Sequence, residues 1–181
     1  MRALPAVGTL LLATLLASCA AEAPTGAGPV ALARGGGAAP SRPLGGSCAT
    51  TFQFIPLEFM TVPPGVLVPA RATTPVEGEC RIAHLGLTRV TIAQVVDFRV
   101  TPNTLTSSFV FTAANGDQLH ASGTGTGSAP DAAGAVDIGG TFAITGGTGR
   151  FAGASGSASW AGGASLATLQ GFFSLEGTIA Y

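Results

Sequence analysis

The sequence predicts an all-β fold: a small antiparallel barrel of about eight strands, preceded by a signal peptide and a disordered linker. Three observations carry this. Short runs of Thr, Val, Phe and Ile alternate with polar residues at period two, and Gly clusters punctuate them. No sustained helical period follows the first twenty residues. Gly-rich stretches such as Ala121–Gly127 and Gly153–Gly163 favour the bending that barrel closure uses, and closure also removes exposed sheet edges. A sandwich is the alternative architecture.

The chain opens on Met1-Arg2 and an apolar run from Ala3 to Ala17, the charged, apolar, small-residue order of a secretory signal. The run is shorter than the roughly 20 residues of a membrane-spanning helix. Leu16-Ala17-Ser18-Cys19 resembles the lipobox of bacterial lipoproteins. That resemblance implies cleavage before Cys19, a diacylglycerol on its sulfur and an acyl chain on its new amine, and two acyl signals hold a protein on a membrane. The expected address is the bacterial cell envelope. Ala20 stands where some inner-membrane lipoproteins carry Asp, so the outer membrane or cell surface is expected over the inner membrane.

Residues 19–46 read as the lipidated Cys and an Ala/Gly/Pro-rich tether centred on Gly35-Gly36-Gly37, too poor in apolar surface to offset its ordering entropy. Residues 47–181 then form the barrel domain, long enough for one core. Cys48 and Cys80 are an even pair in an exported chain and are expected to form a disulfide. Its loop of about 33 residues would contribute roughly 3–4 kcal/mol in the chain-entropy model. A thiolate metal site, the alternative, lacks companion Cys/His spacing. Pro63-Pro64-Gly65 starts an irregular stretch, Pro63–Pro75, of the kind long functional loops form.

Further on, Val90, Ile92, Val96 and Phe98 share one face with Gln94 among them, and Arg89, Thr91 and Asp97 share the other. The hairpin at Ala113–Asp117 has two candidate registers. A two-residue Asn115-Gly116 turn pairs Phe111 with His120. A three-residue loop with Gly116 left-handed pairs Phe111 with Leu119 and Phe109 with Ala121. Register follows the buried face, which favours the second. Val136, Ile138, Phe142 and Ile144 alternate likewise. At the end Phe173, Leu175, Ile179 and Tyr181 oppose Ser174, Glu176 and Thr178.

Ile144–Gly156 resembles the GGTG-x-F-x-x-A-x-G signature of the allene oxide cyclase and dirigent type of β-barrel. Cys80–Tyr181 is more similar still to uncharacterised bacterial barrels of that superfamily, through His84-Leu85-Gly86, Thr112–Asp117 and Gly177–Tyr181. The resemblance implies the barrel. It carries over no catalytic residue, because no acidic or basic position here matches the family's catalytic groups, and Ser155 stands where plant dirigent proteins often carry Arg. Physically, Gly146, Gly147 and Gly149 suit a turn with positive φ angles, Phe151 plugs the core, and Gly153 and Gly156 let a strand approach. No helix or Lys follows to make this a phosphate loop.

Candidate chemistry is thin. The chain carries net charge −1, with 9% charged residues and no Lys, so it has no electrostatic footprint for nucleic acid. No G-x-S-x-G elbow accompanies the two His, and neither His has metal-site spacing. No catalytic residue, metal ligand or cofactor is assigned. Glu58, His84, Asp97, His120 and Glu176 are the groups to inspect inside a lumen, where burial would perturb their pKa values. Alternation itself puts Asp97 and Glu176 toward water, and both His read first as surface or strand-end residues. Trp160 and Tyr181 are candidate ligand-lining rings, more often packing.

Three readings result. A non-catalytic binder of an apolar small molecule or an envelope partner requires an apolar lumen or a surface patch. A cyclase or isomerase acting on an apolar substrate requires polar groups converging in the lumen. An interaction or inhibitor module requires a filled lumen and an exposed apolar patch.

Overall fold

The computed structural model describes residues 39–181. The expected signal peptide, Cys19 and residues 20–38 of the expected tether lie outside the described residues. Ten strands follow one another: β1 (Ser41–Phe52), β2 (Ile55–Val62), β3 (Val66–Thr73), β4 (Val76–Ile82), β5 (Gly86–Asp97), β6 (Asn103–Ala113), β7 (Gln118–Gly127), β8 (Ala135–Gly147), β9 (Ser155–Ser165) and β10 (Gln170–Ala180). Eight of them close a barrel in the order β1, β10, β9, β8, β7, β6, β5, β4, with every neighbour antiparallel; the β5–β6 and β4–β1 pairings complete the ring. The sandwich alternative is thereby excluded.

The remaining two strands are an excursion. Between neighbours β1 and β4 the chain leaves the ring as the β2–β3 hairpin, which joins the barrel ladder only where Arg71–Thr73 pairs with Val95–Asp97 of β5. Pro63–Pro75 is therefore not an irregular loop. Pro63-Pro64-Gly65 makes a tight turn, with Gly65 N–H on the Val62 carbonyl and Gly65 at φ +111°, and Val66–Thr73 is a strand. Pro69 fits because β3 has a partner on one side only at that point, where a missing N–H breaks no ladder bond.

The first strand begins at Ser41, inside the stretch read as tether. Ser41–Gly46 pairs with Leu175–Ala180, and its one large inward side chain, Leu44, is buried. Gly46 faces Ile82, where an added Cβ would strike backbone, so composition that suggests a linker here serves a crowded strand.

Alternation governs the rest. Val90, Ile92, Val96, Phe109, Phe111, Phe142, Ile144, Phe173, Leu175 and Ile179 point inward and are buried, while Thr104, Thr106, Ser122, Thr124, Thr141, Ser157 and Glu176 face out. Polar outside and apolar inside is the reverse of a lipid-facing barrel. Cys48 and Cys80 stand directly opposite on β1 and β4 and form the expected disulfide inside the barrel. The β6–β7 hairpin adopts the three-residue-loop register, with Phe111 against Leu119, Phe109 against Ala121, and Gly116 at φ +88°.

Glycines on β7 and β8 make room for aromatic rings. Trp160 on β9 lies beside Gly140, which in turn lies beside Gly125 on β7. A Cβ on Gly125 would come within 2.8 Å of the Trp160 ring at Cζ2. The missing Cβ at Gly125 leaves room for the indole, and the missing Cβ at Gly140 lets its backbone approach Thr124 and Gly125.

The two ends differ. One is plugged. The short 3-10 turn Gly149–Phe151 drops Phe151, fully buried, onto Tyr181 at 4.9 Å between ring centres. Gly149 is left-handed at φ +55°, and a side chain there would collide with the Asp117 carboxylate. Asp117 accepts from Asn115 Nδ2 at 2.8 Å and from the Arg150 N–H at 3.4 Å, and Arg150 donates to the His84 carbonyl at 3.2 Å. Gly156 makes the close approach to β10 that its sequence context suggests, whereas a Cβ on Gly153 would meet open space; Gly147, against the Gln118 carbonyl, takes that role instead.

Candidate functional site

The opposite end is open. It leads into a cavity of about 440 Å³, within the ~300–1,000 Å³ usual for small-molecule sites. Ile92, Phe109, Trp160, Phe173, Val76, Val96, Leu105 and Ile138 of the barrel strands line it, together with Phe54, Phe98, Met60 and Val68. Three lining rings meet edge-on, with Phe109–Trp160 at 6.3 Å and Trp160–Phe173 at 6.2 Å. Met60 and Val68 come from the β2–β3 hairpin, which therefore roofs the cavity as well as projecting from it.

Among the described residues no charged side chain lines this space. Its polar side chains are neutral, and two of them, Thr74 and Gln94, bond to one another and, through Gln94, to Ser107. Gln94 Nε2 donates to Thr74 Oγ1 at 2.9 Å, and Ser107 Oγ donates to Gln94 Oε1 at 3.1 Å. Asn103 Nδ2 donates to the Ser128 carbonyl at 3.4 Å. One buried side-chain polar atom among the described residues has no partner: Trp160 Nε1. A buried donor left unpaired costs about 1–3 kcal/mol. The site can hold, orient and desolvate an apolar molecule; it offers no group that titrates near neutrality to move a proton.

Of the seven lumen candidates, the cavity brings in Trp160. Tyr181 packs at the plugged end, under Arg42, whose guanidinium carbon is 5.0 Å from the ring centre. His84 is exposed in the β4–β5 turn, and His120 lies on the outer face of β7 against Gln118. Glu176 faces out from β10. Glu58 and Asp97 are close to the rim but turned away from the lumen into an ion-pair chain. Arg71 Nη1 meets Glu58 at 2.9 Å, Arg99 Nη1 reaches Glu58 at 3.9 Å, and the Arg99 guanidinium grips Asp97. Hydrogen bonds from the Arg99 side chain and backbone N–H hold the Asp97 carboxyl down to about 2, and Asp97 raises the Arg99 guanidinium.

Gln94, Thr74, Ser107 and Asn103 were not singled out in the sequence. Gln94 carries a signal, as a polar residue on an otherwise apolar strand face. Thr74 and Asn103 carry none, since they sit at strand ends. Exposed apolar side chains also gather at this end. Ile55, Leu57, Phe59, Val66 and Leu67 of the hairpin are joined by Val100, Leu166 and Leu169 from loops on the same rim.

Fold and cavity together define a small, apolar-lined β-barrel plugged at one end and open at the other. Compared with protein-family models, with curated proteins and with solved structures, the chain matches none.

Proposed function

We propose that this chain is a lipid-anchored β-barrel of the bacterial cell envelope that holds an apolar small molecule in its open-ended cavity, without catalysing its conversion. One observation carries the binding reading: an apolar space of about 440 Å³, open to one side, in which the polar groups are neutral. Kinship with the allene oxide cyclase and dirigent-like barrels is part of the proposal. Its support is that His84–Gly86, Asn115–Asp117, Gly146–Phe151 and Tyr181 meet at the plugged end and secure it together.

The test is a thermal-melting screen of the purified chain against alkanes, alcohols, ketones and sterols. A ligand at one hundred times its Kd contributes about 2.7 kcal/mol, which raises Tm by several degrees. A flat response across the panel would overturn cavity binding. It would favour a second reading, docking of another envelope protein on the apolar β2–β3 hairpin, which the exposure of Phe59 and Leu67 supports. Membrane attachment has its own check: Cys19→Ser should move the protein from the membrane fraction to the soluble fraction, and unchanged membrane recovery would end the anchoring proposal.

A further inference from the structure

We infer that the cavity's ligand is a neutral lipophile bearing a hydroxyl or carbonyl oxygen, and that the Thr50 hydroxyl binds that oxygen. This rests on the cavity-binding reading and narrows it to a ligand class.

Thr50 stands on the inner face of β1, only 9% exposed, and lines the cavity. Among the described residues nothing hydrogen-bonds its hydroxyl. The Trp160 N–H also lacks a partner, but it is sealed from open space, whereas the Thr50 Oγ1 is not. The neighbouring strands keep that oxygen uncovered. Both cross-strand partners of Thr50 are glycine, Gly78 on β4 and Gly171 on β10. The Thr50 methyl lies over Gly78, 2.7 Å from where a Cβ would stand, so Oγ1 is turned toward Gly171. A Cβ on Gly171 would be 3.0 Å from Oγ1 and 3.6 Å from the Ala164 Cβ. Gly171 and Ala164 line the cavity as well, and the missing side chain leaves a niche beside the hydroxyl.

The other polar side chains named in the lining are engaged. Gln94 donates to Thr74, Asn103 to the Ser128 carbonyl, and Ser128 Oγ to the Ala129 carbonyl while it accepts from the Asp137 N–H. The backbone under Thr50 is also fixed in advance. The next inward pair on the same two strands is Cys48 and Cys80, joined by the disulfide. A group already held in place loses little freedom when it binds. A hydroxyl both donates and accepts, so its complement is an alcohol, ketone or ester oxygen. Carboxylates are excluded from the class, because no cation lines the cavity among the described residues and a desolvated charge without a partner is costly.

The full chain is titrated calorimetrically with a medium-chain methyl ketone, the alkane of equal length and the fatty acid of equal length. In Thr50→Val, which keeps the shape and removes the hydroxyl, the ratio of ketone to alkane affinity should fall about three- to tenfold, the usual worth of one neutral hydrogen bond. Thr50→Ser should keep the native ratio. The carbonyl stretch of isotope-labelled ketone, read by infrared, should lie lower in the native chain than in hydrocarbon and return toward the hydrocarbon value in Thr50→Val. An unchanged affinity ratio in Thr50→Val, or a hydrocarbon-like stretch in the native chain, overturns the inference and leaves apolar binding intact. Preference for the fatty acid also overturns it. Failure of both ketone and alkane to bind overturns the cavity reading beneath it. Should Thr50→Val not fold, Thr50→Ala makes the same comparison, and if neither folds the carbonyl stretch in the native chain decides.

Discussion

At the scale of single residues, glycine and aspartate positions carry the sharpest consequences. Gly125 exists without a side chain because the Trp160 indole occupies the place of its Cβ and the Gly139 carbonyl crowds it from the next strand. Gly125→Ala should therefore cost about 1–3 kcal/mol, as overpacking does. Urea unfolding would measure it, and a neutral result would mean that the ring shifts freely. Asp97 titrates low in the folded chain because Arg99 bonds its carboxylate. A depressed carboxyl pKa adds stability that is present above the unfolded value, near 3.8, and is lost as pH falls through about 2. The stability gap between the native chain and Asp97→Asn should thus be constant near neutrality and close between about pH 4 and 2. The carboxylate is at the surface, so the gap is small; melting at stepped pH reads it, and a gap that widens on acidification would contradict the Arg99 pairing.

At the scale of elements, the disulfide and the hairpin it brackets belong together. Cys48 and Cys80 join β1 to β4, and the whole excursion through β2 and β3 lies inside the loop they close. Replacing both by Ala should lower stability by about 2–5 kcal/mol, seen as a lower urea midpoint; an unmoved midpoint would show that the barrel ladder alone fixes the base of the excursion. The pairing was legible in the sequence because two cysteines in a segment read as exported have one simple use. The inward and outward faces of β5, β6, β8 and β10 were legible because period-two alternation survives wherever one face is buried. The same parity places Asp97 with Arg89 and Thr91 on the outside, and it needs no structure to do so. The β2–β3 hairpin was not legible. Pro63, Pro64 and Pro69 signal irregular chain, yet a strand paired on one side only tolerates proline. Ser41–Gly46 was hidden for a related reason, since a strand that needs close approach is written in the small residues that also write linkers.

At the scale of the whole molecule, the two ends of the barrel are made differently. The plugged end is built from the segments with recognisable motifs, tied by Asp117, Arg150 and Phe151. The open end is built from hairpin, loops and strand tips with no motif at all, and there the cavity and most exposed apolar side chains are found. This explains why the fold was readable and the site was not: closure decides which neutral residues meet in the lumen, and no short pattern encodes closure. It also separates two kinds of inheritance. Substitutions among Phe54, Met60, Val68 and Leu166 touch neither the plug nor the disulfide. A lineage of such chains is free to reshape its open end while its folding instructions stay untouched at the far end.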